Sequence, residues 1–214
     1  MSVLNNVGDG AELNGCAAVP EVVFIHVFRS NSMATPNPSV ANGQPKPKVA
    51  GLATPTDLKR SNTVAIAKAL NVLVADAFAL YVKTKNFHWH MSGPHFRDYH
   101  LMLDEQSDQI FASIDPLAER VRKLGERTVL GIGHIGKLTN VEDNDAEFVP
   151  PGEMLKILME DNKAMAAKMR EAHGICDDND DPATASLLEI YIDETERRTW
   201  FLFEANRNAD SGGH

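Results

Sequence analysis

Cysteine is nearly absent: 214 residues hold two, Cys16 and Cys176, and no Cys-x-x-Cys pair. That scarcity excludes a disulfide framework and a zinc knuckle, and it suits a reducing compartment. Positive charge is also in short supply. Lys and Arg number 21 against 30 acids, and the net charge of −9 argues against an overall basic, nucleic-acid-binding surface. A chain of that sign attracts cations. No basic segment leads into an apolar run near the start, and the run over residues 22–28 is interrupted by His26. Neither a signal peptide nor a membrane contact is predicted, which places the protein in the cytoplasm. Strand-type alternation is missing as well, and no Glu-x-x-His pair recurs on two helical segments. The second absence argues against a carboxylate-bridged diiron oxidase housed inside one bundle.

What is present divides unevenly. Residues 1–55 are rich in Asn, Gly, Pro and Ser, with prolines at 36, 38, 45 and 47, and no helical period survives there. They read as a disordered N-terminal tail. Met33 opens its more ordinary part, so translation beginning there, with residues 1–32 an over-extended start, is one expectation. From Thr56 the pattern changes. Thr56-Asp57 offers a cap, and Ile66, Leu70, Leu73, Ala77 and Leu80 step by four and three. Ser92-Gly93-Pro94 breaks that helix. In the second, Phe96, Tyr99, Leu103, Ile110, Ile114, Leu117, Val121 and Leu124 keep the period until Gly125. Residues 126–149 form a long glycine- and acid-rich connection. A third helix opens at Pro150-Pro151-Gly152, with Leu155, Leu158, Asn162, Met165 and Met169 on one face and a stop at Gly174. The acidic turn 177–181 leads to a fourth, with Leu188, Tyr191, Ile192, Thr195 and Leu202 inward. Four long helices predict an all-α bundle over residues 56–208, followed by a short C-terminal tail at 209–214. The long second connection suggests a ferritin-like crossover.

The chemistry sits on helix two. His100 and Asp104 are four residues apart, as are Asp115 and Glu119, so each pair lies on one face. His88 closes helix one. Asp104 and Asp115 are eleven residues apart, which at about 1.5 Å per residue is roughly 16 Å along the axis. A metal–ligand bond is only about 2.0–2.2 Å. The two pairs cannot grip one ion within one chain. If they form one site, its halves come from two subunits, and a two-fold axis across helix two creates two equal sites. Taken singly, an acid pair on a helix is more often a solvated face, and a histidine near a helix end more often structural. Together, mixed His and carboxylate donors suit iron better than calcium, magnesium or structural zinc. Pro116 stands between the paired acids and removes a helical hydrogen bond there, which puts the aim of Asp115 and Glu119 in question.

The stretch Lys85-Asn86-Phe87-His88-Trp89-His90-Met91-Ser92-Gly93-Pro94-His95-Phe96, followed by His100-x3-Asp104 and Asp115-x2-Ala118-Glu119-Arg120, resembles the signature of the Dps family (DNA-binding protein from starved cells). Trp200-Phe201-Leu202 is similar too, and the likeness spans about residues 57–207. The resemblance implies a ferritin-like cage, a homo-oligomer of the dodecamer type built from two-fold dimers. It implies that His88, His100 and Asp104 of one subunit face Asp115 and Glu119 of its mate. That ferroxidase centre would oxidise Fe(II) with hydrogen peroxide, or with oxygen, and store Fe(III), protecting DNA and cell from oxidative damage. Iron is the metal implied. Trp89 resembles the family tryptophan beside the site, and core packing is its plainer reading. His90 stands where many members have asparagine. DNA binding is the rival function: Lys46, Lys48, Lys59 and Arg60 face one acid, Asp57, between residues 34 and 60. Residues 61–214 carry −10, so binding through the tail is expected to be weak and strongly salt-dependent. A shell without iron chemistry, its site spoiled by Pro116, is a third reading.

Overall fold

A computed structural model of the chain describes residues 50–207, so the expectations for residues 1–49 and 208–214 lie outside it. After a 3-10 turn at Ala50–Leu52 come five helices: α1 (Arg60–His90), α2 (Phe96–Lys123), α3 (Ile132–Leu138), α4 (Pro151–Asp177) and α5 (Pro182–Ala205). No strand occurs among the described residues.

Contacts between ends give the topology. Arg60 and Thr63 at the start of α1 bond Glu126, just beyond α2, whereas His88 near the end of α1 meets His100 near the start of α2. The two helices are therefore antiparallel. Asn62 bonds the carbonyl of Asn179, and Lys83 bonds Asp161, so α4 also runs against α1. It follows that α2 and α4 are parallel, and the 124–150 connection must travel the length of the bundle. This is the crossover that loop length suggested. Asp76, buried midway along α1, pins it there by accepting from Thr139 Oγ1 at 3.0 Å and from the Asn140 backbone N–H at 2.6 Å. The fourth long helix, α5, returns antiparallel to α4, with Asn162 meeting Arg198.

The core follows the apolar steps of the sequence. Ile66, Leu70, Leu73 and Leu80 of α1, Leu103 and Leu117 of α2, Leu155 and Leu158 of α4, and Leu188 and Leu202 of α5 are buried in one cluster. Each such side chain contributes about 1.5–3 kcal/mol. Among the described residues α1 is the one helix long and apolar enough to cross a membrane, but these residues face the bundle. Within the core lies a polar chain: Arg198 donates Nε to Asn162 Oδ1 (2.9 Å) and Nη2 to Thr195 Oγ1 (2.7 Å). Burial pushes the Arg198 guanidinium down to about 10. Cys176 is buried and free, its thiol pushed up to about 12 by desolvation.

Helix ends differ from expectation in two places. Thr56-Asp57 does not cap α1; Thr56 Oγ1 accepts from the Leu58 N–H in a preceding turn, and the helix starts at Arg60 with no side-chain cap. Gly174 does not end α4, which runs to Asp177, and the left-handed residue is Asp180 (φ 60°). Gly125 does stop α2. It adopts φ 75°, with its N–H on Arg122 O and that of Glu126 on Val121 O, a Schellman arrangement.

Candidate metal centre

The α1–α2 turn, with Gly93 at φ 90°, folds the end of one helix onto the start of the next. It sets the rings of His88 and His100 face to face, centroids 3.7 Å apart and planes 20° from parallel. His88 Nδ1 lies 2.8 Å from the His100 carbonyl, and His100 Nδ1 lies 3.0 Å from the His88 carbonyl. A carbonyl only accepts, so each Nδ1 carries a proton, and in a neutral ring Nε2 is the nitrogen that bears the lone pair. This is the outer-sphere arrangement that fixes a ligating imidazole. Asp104 follows His100 by one turn, its Oδ1 3.8 Å from His88 Nε2. The three sequence-predicted residues of this half are thus brought together, and their donor types fit iron.

A fourth residue joins them that sequence reasoning did not single out. Lys85 lies three positions before His88, on the same face, and its ammonium bonds Asp104 Oδ1. That bond holds the Asp104 carboxyl below the usual carboxylate range and raises the Lys85 ammonium. A metal ligated by Asp104 would compete with this ammonium for the carboxylate, so Lys85→Gln is expected to tighten Co(II) or Fe(II) binding at neutral pH by up to about five-fold, the scale of an exposed ion pair. Anaerobic metal titration of both proteins checks this; weaker binding in the variant would make Lys85 a support of the site instead.

Asp115 and Glu119 are not part of this cluster. Both are exposed on α2, which continues through Pro116, and Glu119 Oε2 pairs with Lys123 at 3.4 Å. Nowhere among the described residues do three His, Cys, Asp or Glu side chains of one chain gather as a metal cage. On the same two helices Val82, Trp89 and Phe111 expose large apolar surfaces, and Trp89, 65% exposed, is not packed in this chain's core. His90 is exposed and its Nδ1 is occupied by the Asn86 carbonyl, 2.8 Å away.

At the end of the acidic turn, Asp181 is buried, caps α5 and pairs with Arg120 at 2.6 Å, which makes it a structural residue. Arg60, counted among the basic residues for DNA, pairs with Glu126 at 3.2 Å, while Lys46 and Lys48 lie outside the described residues.

Comparison with known proteins bears on the whole arrangement. A family described as ferritin-like domain matches residues 67–209. The chain is 30% identical over 149 residues to a DNA protection during starvation protein of Brevibacillus brevis, covering 68% of this chain and 97% of that one. Among solved structures it is similar to Dps from Thermosynechococcus elongatus (27% identity, TM-score 0.67, covering 70% of this chain and 97% of that one). DpsC from Streptomyces coelicolor is also similar (26% identity, TM-score 0.71, covering 75% and 94%).

Proposed function

The chain belongs to the Dps family within the ferritin-like proteins, and from that premise we propose that it is an iron-oxidising and iron-storing cage protein. It takes Fe(II) at centres shared between two subunits, passes electrons to hydrogen peroxide in preference to oxygen, and holds the Fe(III) inside, protecting DNA in the bacterial cytoplasm or nucleoid. The observation that carries this reading is the pair of stacked imidazoles, each with Nδ1 committed to the other's carbonyl and Nε2 left open beside Asp104.

Half a site is incomplete. His88, His100 and Asp104 would supply one side, and Asp115 and Glu119 of a second copy the other, in a dodecamer built from two-fold dimers. The apolar surfaces of Val82, Trp89 and Phe111 support burial of this face against another copy. The carboxylates supply negative charge and the imidazoles neutral donors, so Fe(II) is held with room for the oxidant. DNA binding is a weaker reading, because residues 61–214 carry −10.

Co-assembly tests the shared site. Refold a one-to-one mixture of His100→Ala and Asp115→Ala/Glu119→Ala chains, each nearly inactive alone. In an isologous dimer each mixed pair regains one intact centre of two, and half the pairs are mixed, so about a quarter of wild-type peroxide-driven oxidation is expected. No recovery in well-assembled mixed shells would place both pairs in separate or irrelevant locations.

A further inference from the structure

The half-site holds a third ring. Phe96 opens α2 one turn before His100, and its ring centroid lies 5.0 Å from that of His100, with the planes tilted by 30°. His100 and His88 are already stacked at 3.7 Å. A ring face covered at that distance has no room for a second ring, so Phe96 packs against the part of the His100 imidazole that His88 leaves open. Phe96 is itself 44% exposed and belongs neither to the core cluster nor to the residues packed against it. Core burial therefore does not account for an aromatic side chain at this position, and its ring contact is with His100.

The imidazole needs such a neighbour. One hydrogen bond, from Nδ1 to the His88 carbonyl at 3.0 Å, anchors one corner of the His100 ring. The ring can still swing about that anchor, because the outer torsion of histidine has a broad, two-fold profile. A ligand is useful only when its lone pair keeps one direction, and packing from the sides supplies that restraint. His100 is half-buried, so a flat apolar ring beside it also keeps water off the imidazole. On metal binding the imidazole becomes electron-poor. The negative face of a phenyl ring within about 6 Å attracts such a group, so the contact strengthens in the loaded state.

We propose that Phe96 is a positioning residue of the metal centre: its ring fixes the plane of the His100 imidazole and favours the metal-bound form over the free one. The inference rests on the reading of His100 as an iron ligand. Phe96 acts through His100 alone, being neither donor nor acceptor. A leucine in its place is apolar but has no face to stack, whereas a tyrosine keeps the face.

Anaerobic Co(II) titration of assembled apo-shells tests this, with Phe96→Leu and Phe96→Tyr beside the wild type. Phe96→Leu is expected to bind about 3–10-fold more weakly, the scale of an aromatic pair, and Phe96→Tyr to stay within about two-fold of wild type. The second readout needs no metal: hydrogen–deuterium exchange at the imidazole Cε1, followed by mass spectrometry. Exchange at His100 should quicken in Phe96→Leu and not in Phe96→Tyr, with the exposed His90 as internal reference. Both measurements use shells of wild-type size, so that lost assembly is not mistaken for lost aim; Phe96→Met replaces a Phe96→Leu chain that does not assemble. Unchanged affinity and exchange in Phe96→Leu overturn the proposal. Equal weakening in Phe96→Leu and Phe96→Tyr overturns it too, since the ring is then not the cause. Wild-type Co(II) affinity in His100→Ala would instead sink the iron-ligand reading, and with it any role of Phe96 toward the metal, while the exchange rates would still decide whether the ring is held.

Discussion

A His100→Ala shell is expected to assemble as the wild type does and to oxidise Fe(II) with peroxide on the order of 100-fold more slowly, or worse. The reason is local. His100 is half-buried on a helix, where alanine is the best-tolerated residue, so the bundle loses little. The backbone carbonyl of residue 100 survives the substitution and still accepts from His88 Nδ1. His88 therefore keeps its tautomer, and the measured loss reports one missing ligand rather than a collapsed site. His88→Ala is the less clean experiment, because its buried ring leaves a gap under α2. Rates are read by ultraviolet absorbance after anaerobic loading, with size-exclusion chromatography confirming the shell. A His100→Ala rate within two-fold of wild type would remove the stacked imidazoles from the chemistry altogether.

Why that half of the site was legible, while other parts were not, follows from what helix spacing encodes. Steps of three and four named the core of α1 correctly because each apolar residue faces the bundle interior, and Ile66, Leu70, Leu73, Ala77 and Leu80 are all buried. The same steps named Phe96, which is exposed: at the first residue of α2 no partner helix covers that face. Gly125 was a readable stop because left-handed backbone favours glycine. Gly174 misled because burial of Ala172 and Cys176 outweighs the roughly 1 kcal/mol that glycine costs a helix. His88, His100 and Asp104 were legible since a five-residue turn forces their helix ends together. Lys85 was not, being one more lysine on a helix until its partner is known. Asp115 and Glu119 do not join them in this chain, and spacing states only that the two pairs cannot meet within it.

The acidic turn gives the sharpest case, since five consecutive residues, four of them aspartates, look alike in sequence and differ in energy. Asp181→Ala is expected to destabilise the fold by about 3 kcal/mol, whereas Asp178→Ala changes stability by no more than about 0.5 kcal/mol. Asp181 is 2% exposed and does two things at once. Its Oδ1 accepts the Thr184 N–H at 3.1 Å, capping α5, an interaction worth about 0.5–2 kcal/mol. The same carboxylate takes Arg120 Nη2 at 2.6 Å, and a hydrogen bond to a charged partner adds about 1.5–3 kcal/mol. Arg120 Nε completes the knot on Thr184 Oγ1 at 2.7 Å. Removing the carboxylate leaves a largely buried guanidinium without its acid, which is the costly kind of loss. For a domain of this size the midpoint should fall by roughly 6–12 °C, compared at equal protein concentration because assembly also stabilises. Asp181→Asn, which keeps a capping oxygen but not the charge, should fall between. The knot also ties the end of α2 to the start of α5, and Glu119 is the residue immediately before Arg120. Loosening it frees the helix end that carries the second acid pair, so the same variant should lower iron oxidation even in shells that remain assembled. Full activity in an assembled but less stable Asp181→Ala shell would separate the two roles, leaving the turn a purely structural clasp.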